Sequence, residues 1–222
     1  MNNRSASDTF AHKPFYRKKS LTYILSKIQE CNQLMAADCK CQKTYVENNE
    51  NEIRDKLHYD YLNNRKIRNR IGLSEYIFQP ESPADEKKDG KRGRTDLKVM
   101  IKSQTFNDPA KNYFTLECKR IDGSNKLNKE YVSNGMLRFI DKKKPLYRSC
   151  YNCNAMLGFI VKSMDIDKNI DDINKYILEN LTSKDRINAP RRDVCYYTSS
   201  HVSVGKNLEL YHLMLDIVDV IK

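Results

Sequence analysis

Three residues set in two apolar runs could do chemistry together: Asp96, Glu117 and Lys119. Asp96 opens the run Leu97-Lys98-Val99-Met100-Ile101, and Glu117-Cys118-Lys119 follows Tyr113-Phe114-Thr115-Leu116. A charge inside an apolar stretch costs on the order of several kcal/mol unless it is paired or bound to metal. Two carboxylates with room for water suit Mg2+, which prefers oxygen ligands and keeps part of its hydration shell. A lysine beside them can orient a water or offset charge on a phosphate. The plain alternative is a surface hairpin with a solvated ion pair.

Such residues need strands to hold them. Both runs are rich in β-branched, aromatic and aliphatic residues, so both read as strands. Asn107-Asp108-Pro109 marks a turn between them. Folding about Asn107 sets Asp96 opposite Cys118, and a slip of one residue would set it opposite Glu117 or Lys119. Side chains alternate along a strand, so Glu117 and Lys119 share one face and Cys118 takes the other.

The surrounding chain supplies further elements. A helix is expected from an N-cap at Ser20 to about Ala36, with Leu21, Ile24, Leu25, Ile28, Cys31 and Met35 on its buried face. A second is expected from about Val46 to Leu62, striped by Ile53, Leu57 and Tyr61 and closed by Asn63-Asn64-Arg65-Lys66. Glu52 sits at the edge of that stripe and could point past the core toward the hairpin; an ordinary exposed glutamate is the alternative. Tyr76 to Pro80 reads as a short strand stopped by its proline. A charged loop from Ser82 to Gly93 leads into the Asp96 strand. Its Lys87, Lys88, Lys91 and Arg92, with Arg94, could grip a phosphate backbone or form only a flexible tip.

Beyond Lys119, a helix is expected from Asn128 to Asp141. Tyr131 and Arg138 lie two turns apart on it and could both reach a nucleic-acid backbone, with Tyr131 in the core as an equal reading. Ala155 to Val161 reads as a central buried strand, and Asp167 to Leu181 as a helix. Strands at Val194 to Val202 and Leu208 to Val218 flank a turn at Gly205-Lys206-Asn207. His201 and His212 could face each other across that hairpin; a core or edge role is the plainer one. The pattern is α/β, with a mixed central sheet and helices on both faces. Residues 1–17 read as a basic flexible arm. The remaining 18–222 read as one domain, with 18–44 a helical extension and 45–222 the core.

Composition narrows the partners. The chain has 222 residues and a formal charge of +11, which points to a polyanion, since lysine and arginine contacts to phosphate dominate non-specific nucleic-acid affinity. No apolar stretch approaches the length of a membrane span and the first residues lack an apolar signal core, so a cytoplasmic location is expected. Seven cysteines are an odd number and are expected to be reduced there. Cys39, Cys41, Cys150 and Cys153 could instead supply four zinc thiolates, as a small zinc-stabilised interaction protein would use them.

Asp96 on one strand, Glu117-Cys118-Lys119 on the next, a preceding helical acid and a following helix and strand together resemble the PD-(D/E)xK nuclease superfamily. The resemblance covers roughly Val46 to Val161, and Thr95 stands where the signature has proline. It implies a restriction-endonuclease-like αβββαβ core and metal-dependent phosphodiester hydrolysis. Asp96 and Glu117 would hold Mg2+, with Mn2+ as a substitute, and the backbone carbonyl of Cys118 would be a further ligand. Lys119 would position or activate the water. Glu52, or its competitors Glu50 and Glu47, would bind a second metal or orient the ligands of the first. The substrate class implied is nucleic acid, with DNA foremost, cut by an endonuclease of restriction or anti-phage defence type. A homodimer or a partner protein of a defence system would suit such a role. The alternative on the same fold is a nucleic-acid-binding module without cleavage.

Overall fold

The computed structural model describes residues 14–88, 91–104, 112–140, 145–147, 150–190 and 194–222, with backbone alone for 14–16, 83–88, 91–93, 104 and 183. The first helix, α1, runs Pro14–Gln42 and so extends past the expected limits at both ends. It buries Leu21, Ile24, Leu25, Ile28, Cys31 and Met35, the apolar set read from its spacing. Arg17 and Lys18 belong to this helix. Arg17 lies over the Tyr151 ring at 4.2 Å, and Lys18 pairs with Glu209. Of the expected arm, 1–13 lie outside the described residues.

Helix α2, Glu50–Lys56, starts where the Asn49 side chain accepts from the backbone N–H groups of Asn51 and Glu52. Such capping satisfies donors that the first turn leaves without partners. The chain continues as a wide π-type turn over Leu57–Leu62. It then begins a further helix, α3, at Arg65–Ile71, where closure was expected. Asn64 caps α3 and Gly72 ends it in the left-handed conformation, with φ 83°. That conformation favours glycine.

Strand β1 spans Tyr76–Lys88 and β2 spans Lys91–Ile101, so the expected loop from Ser82 is a long hairpin instead. Pro80 pairs with Leu97 and Pro83 with Arg94. An edge strand tolerates proline because its outer N–H groups have no ladder partner to lose, and β1 is the edge. The other elements are β3 (Tyr113–Ile121), α4 (Asn125–Glu130), β4 (Cys153–Ile160), α5 (Ile166–Asn180), β5 (Tyr196–Ser203) and β6 (Lys206–Asp216). Helix α4 continues as a π-type turn over Tyr131–Gly135 and a 3-10 turn over Met136–Arg138.

The six strands form one mixed sheet in the order β1-β2-β3-β4-β6-β5. β4 runs parallel to both β3 and β6, and the remaining pairs are antiparallel. Alternation divides the sheet into two apolar faces. Phe114, Leu116 and Cys118 of β3 join α1 and α2, while Ile121 joins the cluster of α4 and α5. Glu117 and Lys119 therefore project to the face that α4 covers, sharing one side as expected.

Candidate active site

The register of the central hairpin brings the acids together. β2 and β3 pair Leu97 with Leu116 and Met100 with Tyr113. The next step of that ladder sets Asp96 opposite Glu117, one residue from the expected pairing with Cys118. Apolar burial explains the register, because Leu97 and Val99 reach the same cluster as Leu116 and Phe114 only when paired this way. Beyond the ladder Asp96 Oδ2 bends back to accept the backbone N–H of Cys118 at 2.7 Å. Asp96 Oδ1 lies 3.4 Å from Arg54 Nη1.

Glu117 has no exposed surface. Its Oε1 lies 2.9 Å from both Lys119 Nζ and Arg138 Nη1, and its Oε2 accepts from the Tyr147 hydroxyl at 2.7 Å. Neither cation is aligned for a hydrogen bond, so Glu117 Oε1 is a buried acceptor left unsatisfied. Burial, reinforced by Asp96, pushes the Glu117 carboxyl up to about 7 against the pull of Lys119, Arg138 and Tyr147. Burial acts to lower Lys119, but Glu117, Glu50 and Asp96 outweigh it and hold the amine above its ordinary range. Lys119 is thus a charged donor and cannot take a proton from water in this state.

The helical acid at the site is Glu50. Its Oε1 lies 2.8 Å from Lys119 Nζ, and its Oε2 accepts the Arg120 backbone N–H at 3.3 Å. Glu52 is exposed. Two residues along an α-helix turn a side chain through about 200°, so Glu50 and Glu52 cannot face the same neighbour. The helix begins later than expected, and this selects Glu50. Lys119 also donates to the carbonyl oxygen of Cys118 at 2.7 Å.

Two other expectations change. Tyr131 is fully buried and its hydroxyl meets His212 Nδ1 at 2.9 Å, so it does not face a nucleic-acid backbone. Arg138 reaches into the site rather than only outward, though its side chain stays 33% exposed at the rim. Arg94 is 71% exposed and pairs with Glu81 at 2.9 Å. The side chains of Lys87, Lys88, Lys91 and Arg92 lie outside the described part.

Tyr147 and Arg54 went unread in the sequence. The Tyr147 hydroxyl accepts from Arg138 at 2.6 Å and lies 2.8 Å from the Arg94 carbonyl, tying the loop before β4 to β2 and β3. Its only signal was an aromatic residue in a basic run. Arg54 is buried among Asp55 at 2.7 Å, Glu81 at 3.1 Å and Asp96. A buried arginine in a helix stripe had no signal beyond its spacing from Ile53.

Two adjacent carboxylates and the Cys118 carbonyl are hard oxygen donors, and Glu117 Oε1 is an unsatisfied one. That set fits a hard divalent cation with several waters. Among the described residues, no three His, Cys, Asp or Glu side chains gather as metal ligands. A cation here would therefore rest on Asp96 and Glu117, the carbonyl and water. The same finding covers the cysteines considered for zinc, of which Cys39 and Cys153 are buried and Cys41 is exposed. Among the described residues, no helix is long and apolar enough to cross a membrane. Comparison with family models, with curated proteins and with solved structures finds no match to this chain.

Proposed function

We propose that the chain is a Mg2+-dependent nuclease on a restriction-endonuclease-like core, hydrolysing phosphodiester bonds in DNA as an endonuclease of restriction or defence type. The observation that supports this is the convergence of Asp96, Glu117, Lys119 and Glu50 from two neighbouring strands and a helix start. Asp96, Glu117 and the Cys118 carbonyl would hold the cation. Mg2+, when bound, supplies Lewis-acid polarisation of the phosphate and charge compensation at the leaving oxygen. Lys119, kept charged by its carboxylate neighbours, donates to the attacking water or to a phosphate oxygen. Glu50 orients that ammonium. Arg138, held by Tyr147 at the rim, gives the incoming phosphate a second cation. Double-strand cleavage needs two such sites, which a homodimer would provide.

The second reading is a binding module without cleavage. It is favoured by Lys119, Arg138 and Arg54, which already offset the acids without a metal. Incubation of plasmid DNA and of RNA with the purified protein, in Mg2+ and in EDTA, separates the two. Nicking that needs Mg2+ and is lost in Lys119→Ala is the expected result. Cleavage unchanged in Lys119→Ala would overturn the site, and binding without cleavage of either polymer would favour the module.

A further inference from the structure

Behind the site, on the sheet face covered by α4 and α5, five buried side chains form one line of hydrogen bonds. Asp185 Oδ1 meets His201 Nδ1 at 2.6 Å, and His201 Nε2 meets Ser199 Oγ at 2.6 Å. Ser199 Oγ meets His212 Nε2 at 2.8 Å, and His212 Nδ1 meets the Tyr131 hydroxyl at 2.9 Å. The line starts at a cavity of about 740 Å³, whose wall includes Asp185 and His201. It ends on the helical segment that carries Arg138. The Ser199-His201-Asp185 trio has the order of a nucleophilic triad. Ser199 is wholly buried between two imidazoles, however, so no substrate reaches its oxygen.

The carboxylate fixes the direction of every bond. Burial opposes ionisation of Asp185, but hydrogen bonds from Thr182 and His201 outweigh it and hold the group below its ordinary range. An ionised Asp185 only accepts, so His201 carries its proton on Nδ1. Its Nε2 then accepts the Ser199 hydrogen. Ser199 Oγ in turn accepts from His212 Nε2–H, and the remaining His212 Nδ1 accepts from Tyr131. Each of these hydrogens has one acceptor while both histidines are neutral.

One added proton breaks this arrangement. A doubly protonated His201 donates from both nitrogens. Ser199 must then keep its hydrogen without an acceptor or pass it to His212 Nε2, which must hold its proton on Nδ1. In the second case the Tyr131 hydrogen loses its acceptor. A proton on His212 removes that same acceptor directly. A buried donor without a partner is costly, and so is the buried charge. We infer that this line is a proton-sensitive latch, holding α4 and its Arg138 extension on the sheet only while His201 and His212 are neutral.

The surroundings favour neutrality. Burial lowers His201 against the pull of Asp185, and burial together with His201 lowers His212 to about 3. Among the described residues, the hydrogen-bond partners of His212 are Tyr131 and Ser199 and no carboxylate pairs with it; its strand neighbours are Met156 on β4 and Tyr197 on β5. Asp167 of α5 is engaged by the Tyr197 hydroxyl at 2.7 Å. Lys184, Lys18 and Glu209 line the cavity beside His201, the last two paired with each other. Arg186 faces Asp171 of α5 at 3.9 Å. Because the folded form resists protonation, the latch is complete above the ordinary histidine value of 6.5. It weakens as pH falls below that value.

The inference does not depend on nuclease activity, and its test reads none. The chain has four histidines, so imidazole nitrogen signals can be assigned by NMR with single substitutions. At pH 7.5 we expect His201 protonated on Nδ1 and His212 on Nε2. Amide exchange over 125–138, corrected for intrinsic rates, should lose protection by about tenfold per pH unit per histidine below 6.5. Tyr131→Phe, which keeps the ring but removes the last hydrogen bond of the line, should show lower protection there already at pH 7.5. His212 protonated on Nδ1 in the unaltered chain overturns the latch. So does an exchange profile in Tyr131→Phe that follows the unaltered chain.

Discussion

Glu117 is a carboxylate with no exposed surface, and its burial has a measurable consequence. The folded chain holds its proton up to about pH 7, against an ordinary value of 4.5. Stability from this group is therefore full below about 4.5 and lost as pH rises through 7. A divalent cation on Asp96 and Glu117, as proposed, would relieve that cost by displacing the proton. Mg2+ binding should release close to one proton at pH 6, and its apparent affinity should rise about tenfold per pH unit until about 7. Titration calorimetry in buffers of differing ionisation enthalpy measures the release, and Glu117→Gln should abolish it. An affinity independent of pH between 5.5 and 7.5 would show that the cation sits elsewhere. Asp96, Glu117 and Lys119 were legible because a charge in an apolar strand stands out from its neighbours. Glu50 was not singled out, since choosing it over Glu52 required the helix start to within two residues. Tyr147 joins the site only through tertiary packing, which no local spacing records.

Elements hold these residues through close contacts, one of them at Gly135. It lies where the π-type turn after α4 crosses β3. A Cβ there would come within 2.5 Å of Met156 Cε and 3.3 Å of Lys119 Cγ. The methionine methyl can swing away. The lysine stem must give by a few tenths of an ångström while Glu117 and Glu50 hold its ammonium. Gly135→Ala should therefore cost only about 1 kcal/mol of stability. Its effect on Mg2+-dependent nicking should be larger, a loss of tenfold or more, because the displaced atom belongs to the site. Thermal melting beside the plasmid assay separates these effects, and a variant that melts early but nicks normally would refute the account. At this scale, periodic apolar segments such as β3, β4 and α5 were read to within about two residues. The misses lie where one signal outweighed another. Pro80 suggested a strand end, but an edge position tolerated it. Asn63-Asn64 suggested closure, but Asn64 caps the next helix.

Across the whole molecule, the two apolar faces follow from alternation, while the strand order and the hairpin register are set by packing that only the folded sheet shows. The charge of +11 is a further property of the whole chain, and it yields a test independent of cleavage. Phosphate binding releases condensed counterions, so affinity should fall linearly with salt on logarithmic axes, with a slope near the number of phosphates contacted. Arg94, two residues before Asp96 on β2, is an exposed cation that can contribute. It is 71% exposed, and its partner Glu81 is 44% exposed. An exposed pair of this kind contributes only about 0–1 kcal/mol, so a phosphate can compete for the guanidinium. Arg94→Ala should weaken duplex binding equally for unrelated sequences and reduce the salt slope by about one. Glu52→Gln, an exposed change on the same basic molecule, should leave that slope alone. Measured in EDTA by fluorescence anisotropy, these slopes report binding whether or not the chain cleaves. A slope near zero in the unaltered protein would remove nucleic acid as the partner and, with it, the physical reason for the charge of +11.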